Sequence, residues 1–239
     1  MSPMSINEIA DSVTDAAVLF DFDGTILDTA ELICTSLARA VKEVVRGKPP
    51  CRNRLLSCLG MPLTHIMQDI NPQRTEELVD AYRWHYHQEE IPPIFNGIES
   101  TLSQLVSWGY ELGLVTSKSR RCTLVELREY ELEQIFSVVV TSDDVRALKP
   151  DPEPVLQALN RLNCVAEESL MVGDSSTDMI AGKGAGVSTG WARWGVPELV
   201  DTDADQQADY VFDHPEQVLR VLPQRQSEPV EVLDEEDRA

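Results

Sequence analysis

The residues best able to do chemistry in this chain are carboxylates, and they come in pairs. The stretch FDFDGT sets Asp21 and Asp23 one residue apart, at the end of an apolar run that starts at Ala16. In an extended strand that spacing projects both side chains to one side, and Gly24 then permits a sharp turn. Taken alone, this is also how an ordinary strand ending in an Asp-Gly turn reads. The second pair, in MVGDSSTDMIAGKG, is Asp174 and Asp178. Four residues apart, they share a side of a helix, where the plain alternative is capping and dipole compensation. If both strand ends meet at one crevice, three or four carboxylates converge. Two like charges ~4 Å apart repel by about 4 kcal/mol at an effective dielectric of ~20. Such a cluster needs a cation. Oxygen ligands without thiolate or imidazole favour Mg²⁺, which also takes waters and a substrate phosphate.

Other residues suit a phosphate. Thr116 and Ser117 close an apolar strand and can donate hydrogen bonds to phosphate oxygens, or simply cap the strand. Lys149, in ALKPDPEP, is a point charge of the kind that neutralises a phosphate. It also reads as a solvated surface lysine.

The elements that must hold these residues are short apolar runs at 16–23, 111–118, 136–144, 169–175 and 208–213, alternating with helical patterns. That alternation predicts an α/β fold, a parallel sheet with helices on both faces. Ligands of such sheets bind beyond the carboxyl ends of the strands. Between Asp28 and about Ile94 the pattern is helical throughout, too long for one crossover, and it predicts an inserted all-helical subdomain. The expected division is an extension at 1–15, a core at 16–28 and 95–222, a helical cap at 29–94, and an acidic disordered tail at 223–239. Trp191 and Trp194 are read as following a further short strand, packing in the core or at its rim. His85 and His87, two apart on a helix, do not share a face.

With 41 acidic and 20 basic residues, the net charge is −21. That argues against nucleic acid or an anionic membrane as the main partner. No apolar run reaches the length of a membrane span, and the N-terminus lacks the parts of a signal peptide. A cytoplasmic protein is expected. Five cysteines, at 34, 51, 58, 122 and 164, form no disulfide or zinc pattern and read as reduced thiols.

In order and spacing, these residues resemble the haloacid dehalogenase superfamily of aspartate-nucleophile phosphatases. Four motifs carry the likeness: D-x-D-G-T-x-x-D from Asp21 to Asp28, Thr116 closing its strand, Lys149 before Pro150, and G-D-x-x-x-D from Gly173 to Asp178. The helical insertion resembles the small cap of the phosphoglycolate-phosphatase-like branch, on a Rossmann-like core. The resemblance implies that Asp21 attacks phosphorus and that Asp23 first protonates the leaving oxygen, then deprotonates water. It implies that Asp21, the Asp23 carbonyl and Asp174 bind Mg²⁺, with Asp178 in support. Thr116, Ser117 and Lys149 would hold the phosphoryl group, Lys149 also restraining Asp21. The implied activity is Mg²⁺-dependent hydrolysis of a small phosphorylated metabolite, by a monomer or homodimer. A phosphosugar mutase, a pyrophosphatase or a non-catalytic interaction protein are the alternatives. Because Asp23 supplies an acid/base, a dehalogenase is disfavoured. In the cap, the segment around Gly60 resembles the loop that faces the active site in relatives. Arg52 and Arg54 there are candidate substrate contacts, or surface charges.

Overall fold

The five apolar runs and the further short strand before Trp194 become six parallel strands in the computed structural model, which describes residues 16–195 and 202–224. They are β1 (Ala17–Phe20), β2 (Glu111–Val115), β3 (Val138–Val140), β4 (Leu170–Gly173), β5 (Ser188–Ala192) and β6 (Tyr210–Phe212). Their order across the sheet is β3-β2-β1-β4-β5-β6, an α/β Rossmann-like arrangement. The expected extension at 1–15 and the tail from residue 225 lie outside the described residues.

Four helices precede β2: α1 (Ala30–Val44), α2 (Arg52–Leu56), α3 (Leu63–Ile70) and α4 (Thr75–Tyr86). The helices α5 (Ile98–Ser107), α6 (Arg120–Glu129), α7 (Glu153–Leu162), α8 (Ser176–Ala185) and α9 (Thr202–Gln207) complete the α-helices among the described residues. The period of two in β1 explains why its run is wholly apolar. Val18 and Phe20 pack with Ile98, Leu102 and Leu105 of α5. Ala17 and Leu19 point the other way, to Val155, Ala158 and Leu159 of α7 and Ala181 of α8. A strand covered on both faces cannot alternate apolar with polar.

The helices α1 to α4 have a core of their own. Cys34, Leu37, Val41 and Val44 recur along one stripe of α1 and pack with Leu56, Met67 and Leu78. Each fully buried leucine there contributes about 1.5–3 kcal/mol relative to exposure. The block is tied to the sheet where the chain leaves and returns. The Asp28 N–H donates to the Pro93 carbonyl at 2.9 Å, and the Phe95 N–H donates to that of Ile26 at 3.0 Å. Leu27 and Ile94 form an antiparallel bridge between these bonds.

The strands are shorter than the apolar runs suggest. β1 stops at Phe20 because the chain turns: the Phe22 carbonyl accepts from the N–H groups of Ile26 (2.9 Å) and Leu27 (3.0 Å). Trp191 lies within β5 instead of after it; only Trp194 follows the strand. Among the described residues no helix is long and apolar enough to cross a membrane.

Candidate active site

The strand order reverses beside β1, so the loops after β1 and β4 diverge and leave a crevice at the carboxyl ends of the strands. Asp21 follows β1 and Asp174 follows β4, on neighbouring strands in register at Phe20 and Val172. Gly24 makes their approach possible. Its φ is +79°, and a Cβ on it would lie 2.3 Å from Asp174 Oδ2. Two tryptophans brace these loops: Trp191 Nε1–H donates to the Asp174 carbonyl (3.1 Å) and Trp194 Nε1–H to that of Thr25 (3.0 Å).

Lys149 is the buried counter-charge. Its Nζ lies 2.9 Å from Asp21 Oδ1, and donates to Asp178 Oδ1 at 2.5 Å and to the Val115 carbonyl at 3.0 Å. Three N–H groups face three acceptors, so the side chain is fixed by the protein. Asp178 is equally committed. Its Oδ2 accepts from the Ser175 N–H (3.1 Å) and hydroxyl (2.6 Å), a capping box at the start of α8. Asp178 thus positions Lys149, and Lys149 restrains Asp21.

The charges do not balance. Carboxylate oxygens of Asp21, Asp174 and Asp178 all lie within 4.8 Å of one another, against one ammonium. Burial raises the Asp21 carboxyl from 3.8 to about 7; Lys149 opposes this and Asp178 adds to it. Burial also holds Asp174 well above its ordinary value, with Asp178 and Asp21 contributing. For Lys149 burial acts downward, but Asp178 and Asp21 outweigh it and the net shift is up. A hard cation among these oxygens would relieve the repulsion, and the donor set fits one. Asp21 and Asp174 have the carboxylates to offer it, whereas both Asp178 oxygens are already engaged.

Beyond this cluster, a cavity of about 200 Å³ separates the sheet from the helical block. Asp21, Asp23, Thr116 and Ser117 line one side. The Ser117 hydroxyl is buried without a hydrogen-bond partner, a donor suited to a phosphate oxygen. Asp23 does not join the carboxylate cluster. Its Oδ1 accepts from Lys118 at 3.0 Å, so the adjacent aspartates part toward different lysines. The opposite wall is mainly apolar, from Ile33, Leu37, Met61, Leu63, Ile66 and Tyr82, with Arg83 and His87 also lining it. Burial and nearby cations push His87 below its ordinary value, toward the neutral imidazole.

The cap arginines lie elsewhere. Arg52 pairs with Glu31, and Arg54 with Asp69 at 3.9 Å, with all four side chains more than half exposed. Neither lines the cavity; Gly60 and Arg83 do. Exposed pairs of this kind contribute about 0.2–1 kcal/mol. Replacing Arg52 and Arg54 together with alanine is therefore expected to leave the ranking of substrates unchanged and to cost under about 2 kcal/mol. A reordered substrate panel would restore them to the site. Sequence reasoning missed Lys118, Tyr86 and Arg83. Tyr82 and Tyr86 share a face of α4 by their spacing of four, a signal that marked the face but not its direction.

A family model described as haloacid dehalogenase-like hydrolase matches residues 18–192. The pyrophosphatase PpaX of Halalkalibacterium halodurans is 37% identical over 210 residues, covering 86% of this chain and 93% of that protein. The PpaX of Bacillus velezensis is 36% identical over 207 residues, covering 86% and 95%. Among solved structures, a Lactobacillus plantarum protein provisionally named a phosphoglycolate phosphatase superposes with a TM-score of 0.75 at 28% identity, covering 85% of this chain and 97% of that one. With its six-stranded sheet and the motif residues gathered at one crevice, the chain belongs to the haloacid dehalogenase-like hydrolases.

Proposed function

We propose that this protein is a Mg²⁺-dependent phosphatase acting on a small phosphorylated metabolite through an aspartyl-phosphate. The observation that carries the reading is Asp21: a buried carboxylate 2.9 Å from a fixed lysine, beside a cavity that also receives Asp23 and the unpartnered Ser117 hydroxyl. When bound by Asp21, Asp174 and the Asp23 carbonyl, Mg²⁺ supplies charge neutralisation for the phosphoryl group and for the cluster. In the first step an oxygen of ionised Asp21 attacks phosphorus, and the bond from phosphorus to the leaving oxygen breaks as Asp23 gives that oxygen a proton. In the second step Asp23 takes a proton from water as the water attacks phosphorus. The bond from phosphorus to the Asp21 oxygen then breaks and phosphate is released. Thr116 and Ser117 orient the phosphoryl oxygens. Positioning and charge stabilisation of this kind are the main levers in phosphoryl transfer.

The apolar wall supports an organic leaving group, with Arg83 available for an anionic end such as a carboxylate. The second reading is pyrophosphate hydrolysis, favoured by the activity for which the PpaX relatives are named. Phosphate release from a panel holding phosphoglycolate, pyrophosphate and hexose phosphates separates the two.

The metal is tested without turnover. Saturating Mg²⁺, near 100 times its Kd, stabilises by about 2.7 kcal/mol, which is roughly 5 °C or more for a chain of this size. Exhaustive chelation is expected to reverse the shift and abolish hydrolysis. Full activity in chelator would refute the cation.

A further inference from the structure

Two lysines, Lys149 buried and Lys118 largely so, divide the two candidate catalytic aspartates between them. Lys149 faces Asp21, and Lys118 faces Asp23. Lys118 was in plain sight in the sequence, two residues after Thr116, yet its partners come from three separate elements. Its Nζ donates to Asp23 Oδ1 (3.0 Å), to the Tyr86 hydroxyl at the end of α4 (2.8 Å), and to Glu126 Oε1 and Oε2 on α6 (2.7 and 2.5 Å). An ammonium has three N–H groups, and three residues receive them. The Tyr86 hydroxyl in turn donates a hydrogen bond to Glu126 Oε1 at 3.1 Å. The ammonium also lies 4.7 Å from the Tyr86 ring centroid, a cation–π distance. This network closes on itself, so Lys118 has no N–H left for a substrate, although it lines the cavity.

We propose that Lys118 is a positioning residue for the acid/base. It holds Asp23 by Oδ1 and leaves Oδ2 to exchange the proton, while Tyr86 and Glu126 hold Lys118. Tyr86 belongs to the helical block and Glu126 to the sheet layer. The aim of Asp23 therefore depends on the block being seated over the sheet, and the proton is in line when the cavity is covered. A second contact seats the other side: Thr177 of α8 donates to the Gly60 carbonyl at 3.3 Å. A Cβ on Gly60, whose φ is +78°, would lie 2.6 Å from Ser175. The inference rests on the reading of Asp23 as general acid and base given above.

A purely structural lysine and a positioning lysine differ in one measurable respect. Loss of acid positioning matters most when the leaving oxygen needs a proton. p-Nitrophenolate leaves without one; phenolate, of nearly the same shape, is far more basic. The test is kcat/KM, which covers steps through phosphorylation, for phenyl phosphate and p-nitrophenyl phosphate with Mg²⁺. Lys118→Met is expected to lower kcat/KM about 10–100-fold more for phenyl phosphate than for the nitrophenyl ester, a part of the ~10²–10⁴-fold of a general acid. Tyr86→Phe keeps the ring and its packing, removes one hydroxyl, and is expected to show the same bias at roughly 5-fold. If Lys118→Met does not fold, Tyr86→Phe decides alone. Equal losses on both esters, or no loss, would overturn the positioning role. Wild-type protein that hydrolyses neither ester would overturn the phosphatase reading first and the inference with it.

Discussion

Asp21→Asn is expected to hydrolyse nothing, to form no phosphoenzyme, and to melt at a higher temperature than the wild type when both are free of metal. The first two results follow from the amide, which is no nucleophile. Rapid quench with radiolabelled substrate checks them: the wild type is expected to carry acid-stable label at Asp21 and the variant none. Label on another residue would overturn the assignment. The third follows from burial, which lifts the Asp21 carboxyl from its ordinary 3.8 to about 7 in the folded protein. A carboxyl raised on folding contributes most below its unfolded value, and that contribution is lost as the pH rises toward 7. At pH 8 the ionised group therefore opposes folding, by at most about 4 kcal/mol. Asparagine keeps the shape and removes the charge. The gain is expected at pH 8 in chelator, to shrink toward pH 4, and to vanish when Mg²⁺ supplies the missing charge to the wild type. An Asp21→Asn variant less stable than wild type at pH 8 would show that the Lys149 pair outweighs the burial.

Lys149→Met is expected to fail in the opposite direction. It removes the one ammonium that, among the described residues, faces the three carboxylates, and it leaves the Val115 carbonyl and Asp178 Oδ1 without that donor. Breaking a buried ion pair from one side costs about 3–5 kcal/mol, or roughly 10 °C. The loss has a pH signature. Without the lysine the Asp21 and Asp174 carboxyls rise further, so the folded state holds protons that the unfolded state releases, and stability falls as pH rises. Thermal unfolding between pH 5 and 8 is expected to show the variant close to wild type at the acidic end and far below it at the alkaline end. Turnover is expected to fall by at least 10²-fold, because Asp21 loses both its orientation and the charge that keeps it ionised. A deficit independent of pH would mean that lost packing, not charge, is responsible.

The sequence was most legible where chemistry and period coincide. Asp21 and Asp174 could be found because each sits just beyond the end of a buried run, and a parallel sheet collects such ends at one edge; Lys149 stood out by its place before Pro150 and a helix. The all-apolar Ala17–Phe20 run likewise announced a strand covered on both sides. Less legible was where each side chain points after the strand stops. Asp21 and Asp23 read as a pair projecting together, yet the turn at Phe22 sends them to different lysines. Lys118, Tyr86 and Glu126 are 32 and 8 residues apart in sequence. Nothing local signals that a helix of the insertion and a helix of the core share one ammonium. Arg52 and Arg54 illustrate the converse: a basic cluster beside the expected loop, turned outward because Glu31 and Asp69 lie on the outer face with them. Local pattern sets the buried stripe of a helix, and tertiary docking alone decides which stretch of that stripe roofs the cavity.

The bridge between Leu27 and Ile94 has a consequence for how such a protein can change. The chain departs and comes back at a single stitched point, so the backbone of the sheet does not depend on what is looped out there. On the proposed reading, the nucleophile and the phosphate contacts lie on one side of that seam, and most of the wall that would meet the leaving group lies on the other. A lineage can then lengthen, shorten or exchange the looped-out helices and keep a working nucleophile throughout. The seam also marks where an engineer would graft the insertion of one relative onto the sheet of another. Such a graft must carry along a partner for Lys118, because the Tyr86 hydroxyl and the Gly60 carbonyl are both points where the two halves meet residue to residue.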